Sequence, residues 1–231
     1  IKDMIKKIFA IIVIIFISCE NSKVNSENIF RYNEYSNISS LDPVFSSTLR
    51  NIWPCNQIFN GLVRMDNNLN VVPDIAETWT VSADKKTYTF KLKNGIYFHE
   101  SEFFENGQSR NVNAYDFEYS FNRLIDSDVA SPGAWVMNNV ERFEAINDSI
   151  FEIHLYNEFN SFLEILTMKY CSVVPKEVVQ SLGNSFSKKP IGTGPFKFKR
   201  WDENIKLVLV KNENYHAVSY THLTLPTIVR V

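Results

Sequence analysis

Two stretches of the chain alternate between apolar and polar side chains, and this alternation limits the possible folds more than any other feature. Residues 79–82 and 88–92 alternate on either side of the polar turn 84–86, and residues 140–146 and 151–155 repeat the arrangement. A period of two residues places the apolar side chains on one face of a strand. The pattern therefore predicts two β-hairpins, each with one buried face. The side chains predicted to be buried include Trp79, Val81, Tyr88, Phe90, Leu92, Phe151, Ile153 and Leu155.

A helix is predicted between these hairpins, because apolar residues recur there at steps of three and four. Asn113 is a favourable N-cap, and Asp116 suits the free amides of the first turn. Phe117 and Phe121 lie on the apolar stripe and are predicted core residues. Further helices are predicted at residues 51–62, after Asn160 and between Pro175 and Gly183, and further strands at residues 29–32, 196–201 and 205–210. The elements together predict a mixed α/β fold.

The first residues carry an export signal. Three lysines precede an uninterrupted apolar run, Ile8 to Ile17, which ends at Ser18-Cys19-Glu20. Such a run suits a secretory signal and is shorter than the roughly 20 residues of a membrane span. Cys19 stands where a bacterial lipoprotein signal places its lipid-bearing thiol, so residues 1–19 are predicted to be a lipoprotein signal peptide and residues 20–28 a polar tether. The alternative is cleavage by the ordinary signal peptidase, with Cys19 incidental.

Charge and motif content exclude several classes of function. A net charge of −2 over 231 residues gives no basic excess, so we expect no nucleic acid as a partner. The four histidines are isolated in the sequence, and no nucleophile with its base, carboxylate pair or metal-ligand spacing is recognisable. We therefore expect no metal, no cofactor and no enzymatic activity. His154 is expected on the solvated face of its strand.

Cys55 and Cys171 leave two possibilities open. In an oxidising compartment they could pair as a disulfide. Two cysteines this far apart in the sequence are equally typical of separate, small, buried residues.

A series of short blocks is distributed along the chain from Ile29 to Tyr215. The blocks are Leu41-Asp42-Pro43, Asn60-Gly61-Leu62-Val63, Val72 to Trp79, Asp84 to Leu92, Gly95 to His99, Asn113 to Phe117 with Ser120, Phe121 and Arg123, Val174-Pro175-Lys176, Gly192 to Phe196, and Asn212 with Asn214-Tyr215. In this order they resemble solute-binding protein family 5 of ABC importers, the family of oligopeptide- and dipeptide-binding proteins. Most of these residues are typical of turns and cores, so we interpret the blocks as determinants of the fold rather than ligand contacts.

The resemblance implies a periplasmic-binding-protein-like fold of type II, in which two α/β lobes close around a ligand. Family members are much longer, so the chain is expected to be an N-terminal fragment with the first lobe. By the resemblance, residues 29–59 and 186–215 form an incomplete main subdomain of that lobe, and residues 60–185 form a β-rich subdomain. Residues 216–231 are expected to be a non-native tail, because residues 219–227 look like a translated sequencing adapter.

The resemblance also implies an extracytoplasmic protein that delivers oligopeptides to an ABC transporter. Its expected partners are a short peptide, the permease and ATPase subunits, and a membrane reached through the lipid anchor; it is expected to be a monomer in the periplasm or on the cell surface. By their position in the family, the candidate peptide contacts are Ser47, Thr48, Leu49 and Trp135. The alternatives are the same fold carrying nickel, haem or a sugar, and a surface lipoprotein used as an adhesin or receptor.

Overall fold

The computed structural model describes residues 30–33, 36–217 and 227–230, so the predicted signal peptide, Cys19 and the tether lie outside the described residues. The α-helices are α1 (Leu49–Ile58), α2 (Ala114–Ile125), α3 (Phe162–Leu166) and α4 (Lys176–Leu182). The strands are β1 (Phe30–Asn33), β2 (Val63–Met65), β3 (Val71–Pro73), β4 (Ala76–Val81), β5 (Thr87–Leu92), β6 (Val140–Asn147), β7 (Ile150–Leu155), β8 (Phe196–Asp202), β9 (Lys206–Lys211) and β10 (Thr227–Arg230). The prediction of a mixed α/β fold is confirmed.

The strands described here form three sheets. One has the order β1-β10-β9-β8, with β10 parallel to β1 and antiparallel to β9. A short antiparallel ribbon joins β2 and β3. The third sheet has the order β4-β5-β7-β6 and is antiparallel throughout. The two predicted hairpins, β4-β5 and β6-β7, therefore pair with each other through β5 and β7.

The β4-β5-β7-β6 sheet buries one face, as the alternation predicts, except along one edge. On the two central strands the side chains of Phe90, Phe151 and Ile153 are fully buried. Trp79 on β4 is partly buried against the core, but Val81 is 41% exposed, so its predicted burial is wrong. The cause is the position of β4 at the edge of the sheet, where a strand is paired on one side and the other side has no neighbouring strand in the described part of the chain.

Helix α2 packs on this sheet and begins as predicted. Asn113 accepts a hydrogen bond from the Asp116 amide, and the Asp116 carboxylate accepts one from the Asn113 amide at 2.9 Å, which completes a capping box. The ring centroid of Phe121 lies 6.0 Å from that of Phe117 and 5.6 Å from that of Phe151. Both helical phenylalanines are fully buried, so their predicted place in the core is confirmed.

Residues far apart in the sequence meet at Asn60. The Asn60 amide donates to Thr193 Oγ1 at 3.2 Å, and Thr193 Oγ1 donates to Asn60 Oδ1 at 3.1 Å. Asn60 Nδ2 donates to the Asp74 carboxylate at 3.0 Å and to the Tyr215 hydroxyl at 3.1 Å. We call these four residues the Asn60 junction. Each comes from a different block of the sequence, and their mutual hydrogen bonds satisfy polar groups that would be costly to bury alone.

The Gly192-Thr193-Gly194 turn passes directly against the end of α1. Gly194 N donates to Ile58 O at 2.8 Å. A Cβ atom at Gly192 or Gly194 would collide with the backbone of Gln57 or Ile58. Glycine is therefore required here by the close approach of two backbones.

Candidate ligand-binding site

A polar cavity of about 670 Å³ opens beside the chain that leads into α1. Ser47 and Thr48, two of the four predicted contacts, line it together with the charged residues Asp42, Arg50 and Arg123. Ligand pockets in proteins span roughly 300–1,000 Å³, so the size suits a short polar solute. We call residues 42–49 the cavity segment.

The cavity segment begins with a capped turn. Residues Pro43–Phe45 form a 3-10 turn, and the Asp42 carboxylate accepts a hydrogen bond from the Val44 amide at 3.2 Å. Proline at the first position of the turn has the backbone angle that the turn needs. After this turn, Thr48 is extended and precedes α1. Local hydrogen bonds therefore shape the turn at the start of the segment.

An ion pair attaches the cavity segment to α2. Both nitrogens at the end of the Arg123 guanidinium donate to Asp42, at 3.0 Å to Oδ1 and at 2.6 Å to Oδ2. Asp42 is 2% exposed. Two parallel charge-assisted hydrogen bonds fix orientation as well as distance, so the pair sets the position of the turn relative to the helix.

Two uncharged side chains hold the same segment from other directions. Ser131 Oγ donates to Val44 O at 2.6 Å, and Asn51 Nδ2 donates to Phe45 O at 3.2 Å. Both side chains are buried. The bond from Ser131 fixes the loop that leads to Trp135 beside the cavity segment.

The structure brings the predicted contacts into one region. Ser47 and Thr48 line the cavity, and Leu49 follows them with 70% of its surface exposed. Trp135 is 54% exposed and lies three residues after Pro132, which also lines the cavity. Contact of these four residues with a ligand stays a prediction.

Sequence reasoning missed Asp42, Arg123 and Arg50 as parts of this region. Asp42 and Arg123 belong to the blocks that resemble the family, and the sequence analysis interprets those blocks as determinants of the fold. The Asp-Pro pair signals the local cap. No local signal connects Asp42 to Arg123, which lies 81 residues further along the chain.

Two of the described histidines, His154 and His99, have different surroundings. His154 lies on the outward face of β7, as expected. Its side chain is 13% exposed, because Glu152 of β7 and Thr87 Oγ1 of β5, each 3.2 Å away, partly cover it. His99 is buried with Nε2 2.9 Å from Gly194 O, and burial lowers its pKa to about 4. His99 is therefore neutral at physiological pH and stabilises the glycine turn.

Cys55 and Cys171 are free and buried, which decides between the two possibilities left open by the sequence. Burial raises the pKa of each thiol to about 12. Because the thiolate is the reactive form, both cysteines are chemically inert in the folded chain. In the part of the chain that the structure describes, no group of three histidine, cysteine or acidic side chains is arranged to hold a metal ion.

Comparison with known proteins points to one family. The model of the bacterial extracellular solute-binding proteins, family 5 Middle, matches residues 70–229. Di/tripeptide-binding protein 1 of Pseudomonas aeruginosa is 30% identical over 175 residues, which are 68% of this chain and 32% of that protein. Heme-binding protein A of Haemophilus influenzae is 29% identical over 176 residues, 69% of this chain and 32% of that protein. The chain thus spans about a third of the length of these curated relatives.

Solved structures share the fold. The ABC transporter-associated periplasmic binding protein DppA from Helicobacter pylori, in complex with the peptide STSA, matches with a TM-score of 0.78 at 27% identity, covering 88% of this chain and 42% of that one. A dipeptide binding protein from Pseudoalteromonas sp. in complex with Met-Leu matches with a TM-score of 0.77 at 24% identity. The predicted periplasmic-binding-protein-like fold is confirmed. Over the described residues, no helix has the length and apolar character needed to span a membrane.

Proposed function

Because the chain belongs to the bacterial extracellular solute-binding proteins of family 5, we propose that it is the first part of a protein that binds oligopeptides outside the cytoplasm and delivers them to an ABC transporter. The observation that carries this proposal is the polar cavity beside the cavity segment, in a fold shared with a peptide-bound protein. The di/tripeptide-binding relative supports peptide as the cargo.

The cavity segment suits an extended peptide. Thr48 has φ −129° and ψ 151°, an extended conformation. Its carbonyl already accepts from Asn51 N and Ile52 N, so pairing with another extended chain would use its amide. Such pairing gives affinity through main-chain hydrogen bonds and tolerates many side chains. Leu49 and Trp135 supply exposed apolar surface. A scavenger of mixed peptides needs this combination of firm backbone contact and permissive side-chain contact.

In the proposed protein, residues 29–59 and 186–215 form the main subdomain of the first lobe, and residues 60–185 form the β-rich subdomain. The sheet β4-β5-β7-β6 lies wholly within residues 60–185, and β8 and β9 pair within residues 186–215, which supports this division. A second lobe closes over the cavity. The role is binding, without catalysis, as a monomer that docks to the permease.

The peptide proposal is tested on the complete natural protein by titration calorimetry with di-, tri- and longer peptides. Leu49→Ala should weaken binding about tenfold or more, because buried apolar contact at an interface is lost. Leu69→Ala is the matched control, since Leu69 is 75% exposed and lies on the β2-β3 turn away from the cavity. Equal changes in peptide affinity in the two variants would show that the cavity segment is not part of the binding site.

Haem is the second candidate cargo, and the similarity to Heme-binding protein A supports it. Mass spectrometry of the ligand that co-purifies with the complete protein separates the candidates. Peptides support the first proposal, and haem, nickel or a sugar would replace it. Absence of any ligand and of any peptide binding would favour an adhesin or receptor role.

We place the protein on a bacterial membrane, in the periplasm or at the cell surface, through lipid on Cys19. Several acyl chains give stable attachment, at about 0.8 kcal/mol for each buried methylene group. Metabolic labelling with an alkyne-bearing palmitate should mark the protein, and Cys19→Ser should abolish the label. Labelling that persists in Cys19→Ser would show that the lipid, if any, lies elsewhere.

A further inference from the structure

We propose that Asp42 and Arg123 are positioning residues, which hold the cavity segment in its binding conformation before any ligand arrives. The holding role stands on the structure of the chain itself. Its consequence for affinity rests on the proposed function, because it requires the cavity segment to contact the ligand.

The cavity segment depends on side chains for its attachment to the rest of the fold. Its own backbone bonds are local: Phe45 N donates to Asp42 O at 3.0 Å, and Ser46 N donates to Pro43 O at 3.1 Å. A single 3-10 turn with local bonds of this kind is weak in isolation. Segments with few backbone ties open at low free energy, so external anchors decide how ordered the segment is.

The ion pair is the anchor with the most complete geometry. Asp42 receives both hydrogen bonds from Arg123, and the Arg123 guanidinium also lies over the ring of Phe186 at 5.9 Å. Asp42 Oδ1 also accepts a hydrogen bond from Val44 N, so both carboxylate oxygens have partners within the protein. Asp42 therefore acts on the segment and not on a ligand.

A second pair in the same chain gives a matched control. Arg110 donates to Asp116 at 2.8 Å and 2.6 Å and lies 5.0 Å from the Phe98 ring, so it repeats the two-bond geometry and the aromatic neighbour. It also bonds Glu177 of α4. Neither Arg110 nor Asp116 lines the cavity. The Arg123–Asp42 pair therefore holds the cavity segment, whereas the Arg110–Asp116 pair holds another part of the fold.

Hydrogen exchange measured by mass spectrometry on the 231-residue chain tests the positioning role without a ligand. Arg123→Lys keeps the charge and loses the paired donors, so exchange at the amides of residues 44–49 should accelerate by about tenfold or more. Arg110→Lys should leave these amides unchanged and accelerate exchange around residue 116. Asp42→Asn, which retains the shape and the cap, serves as a second variant and should act like Arg123→Lys. Equal exchange at residues 44–49 in the two arginine variants would overturn the proposal.

Peptide affinity of the complete protein then tests the consequence. Arg123→Lys should weaken binding by the factor by which the ordered fraction of the segment falls, because the apparent Kd is the intrinsic Kd divided by that fraction, whereas Arg110→Lys should leave the affinity unchanged. A wild-type protein that binds no peptide refutes the proposed function and leaves the exchange result standing. An Arg123→Lys variant whose residues 44–49 have lost most of their protection from exchange, yet which binds with unchanged affinity, would refute the positioning role in binding.

Discussion

Acid should destabilise the folded chain through His99. The side chain is 3% exposed, Nε2 lies 2.9 Å from Gly194 O, and Nδ1 is buried without a hydrogen-bond partner. With Nε2 as the donor, a proton on Nδ1 would place an uncompensated charge in the interior. Burial lowers the pKa of His99 from 6.5 to about 4, while the unfolded chain keeps the ordinary value.

The sign of the pH effect on the free energy of unfolding follows from proton uptake. Between pH 6.5 and about 4 the unfolded chain binds a proton that the folded chain does not bind, so the free energy of unfolding falls as the pH falls through this window. The contribution is fully present above pH 6.5. The difference between the two pKa values corresponds to roughly 3 kcal/mol over the whole window, and to roughly 2 kcal/mol between about pH 7.5 and about pH 5.

Urea denaturation at these two pH values, on the wild-type chain and on His99→Gln, measures this contribution. The glutamine amide can donate to Gly194 O in place of Nε2 and carries no titratable group. Other titrating groups, such as Asp116, whose pKa burial raises, act alike in both proteins and cancel in the comparison. The wild type should lose roughly 2 kcal/mol more than the variant on acidification. Identical losses would refute the assignment of a buried, neutral His99.

Three further outcomes are expected in denaturation and labelling experiments. Gly194→Ala should lower the free energy of unfolding by about 3 kcal/mol, because the new Cβ meets the backbone of α1. In the control Gly95→Ala the new Cβ has no neighbour among the described residues, so the positive φ alone should cost about 1 kcal/mol. Equal losses in the two variants would contradict the close approach of the backbones. Asn113→Ala should cost about 1 kcal/mol by removing the capping box, and a stability change near zero would show that the cap is dispensable. Cys55 and Cys171 should stay unlabelled by a thiol reagent until urea unfolds the chain, and peptide mapping that finds label on either one in the native protein would contradict their burial.

Elements with short-range determinants were predictable from the sequence. The alternation on β5 and β7 and the capping residues of α2 act within a few positions of the chain, so the pattern contains their physical cause. The end of α1 was less predictable. The helix was expected at residues 51–62 and ends at Ile58, because the next backbone groups pair with a distant segment: Val173 N donates to Asn60 O at 3.0 Å.

The candidate site was predictable only where the family resemblance assigns a residue to the ligand-binding region. Ser47 and Thr48 were expected as peptide contacts; they line the cavity, and their contact with a peptide stays a prediction. The anchors of the cavity segment were not expected, because Asp42 and Arg123 meet through the packing of α2 and not through any sequence pattern. The partial covering of His154 was likewise unpredictable, because it depends on the side chains that neighbouring strands place beside it.

The Asn60 junction imposes an order in time on the folding of this chain. Thr193 and Tyr215 lie 133 and 155 residues after Asn60, so these bonds cannot form until a ribosome has synthesised those later residues. All four strands of the β4-β5-β7-β6 sheet have been synthesised by residue 155. During synthesis the sheet can therefore assemble first, and the segments around residues 60 and 193 join last, as the closing step of a loop whose length makes it entropically slow.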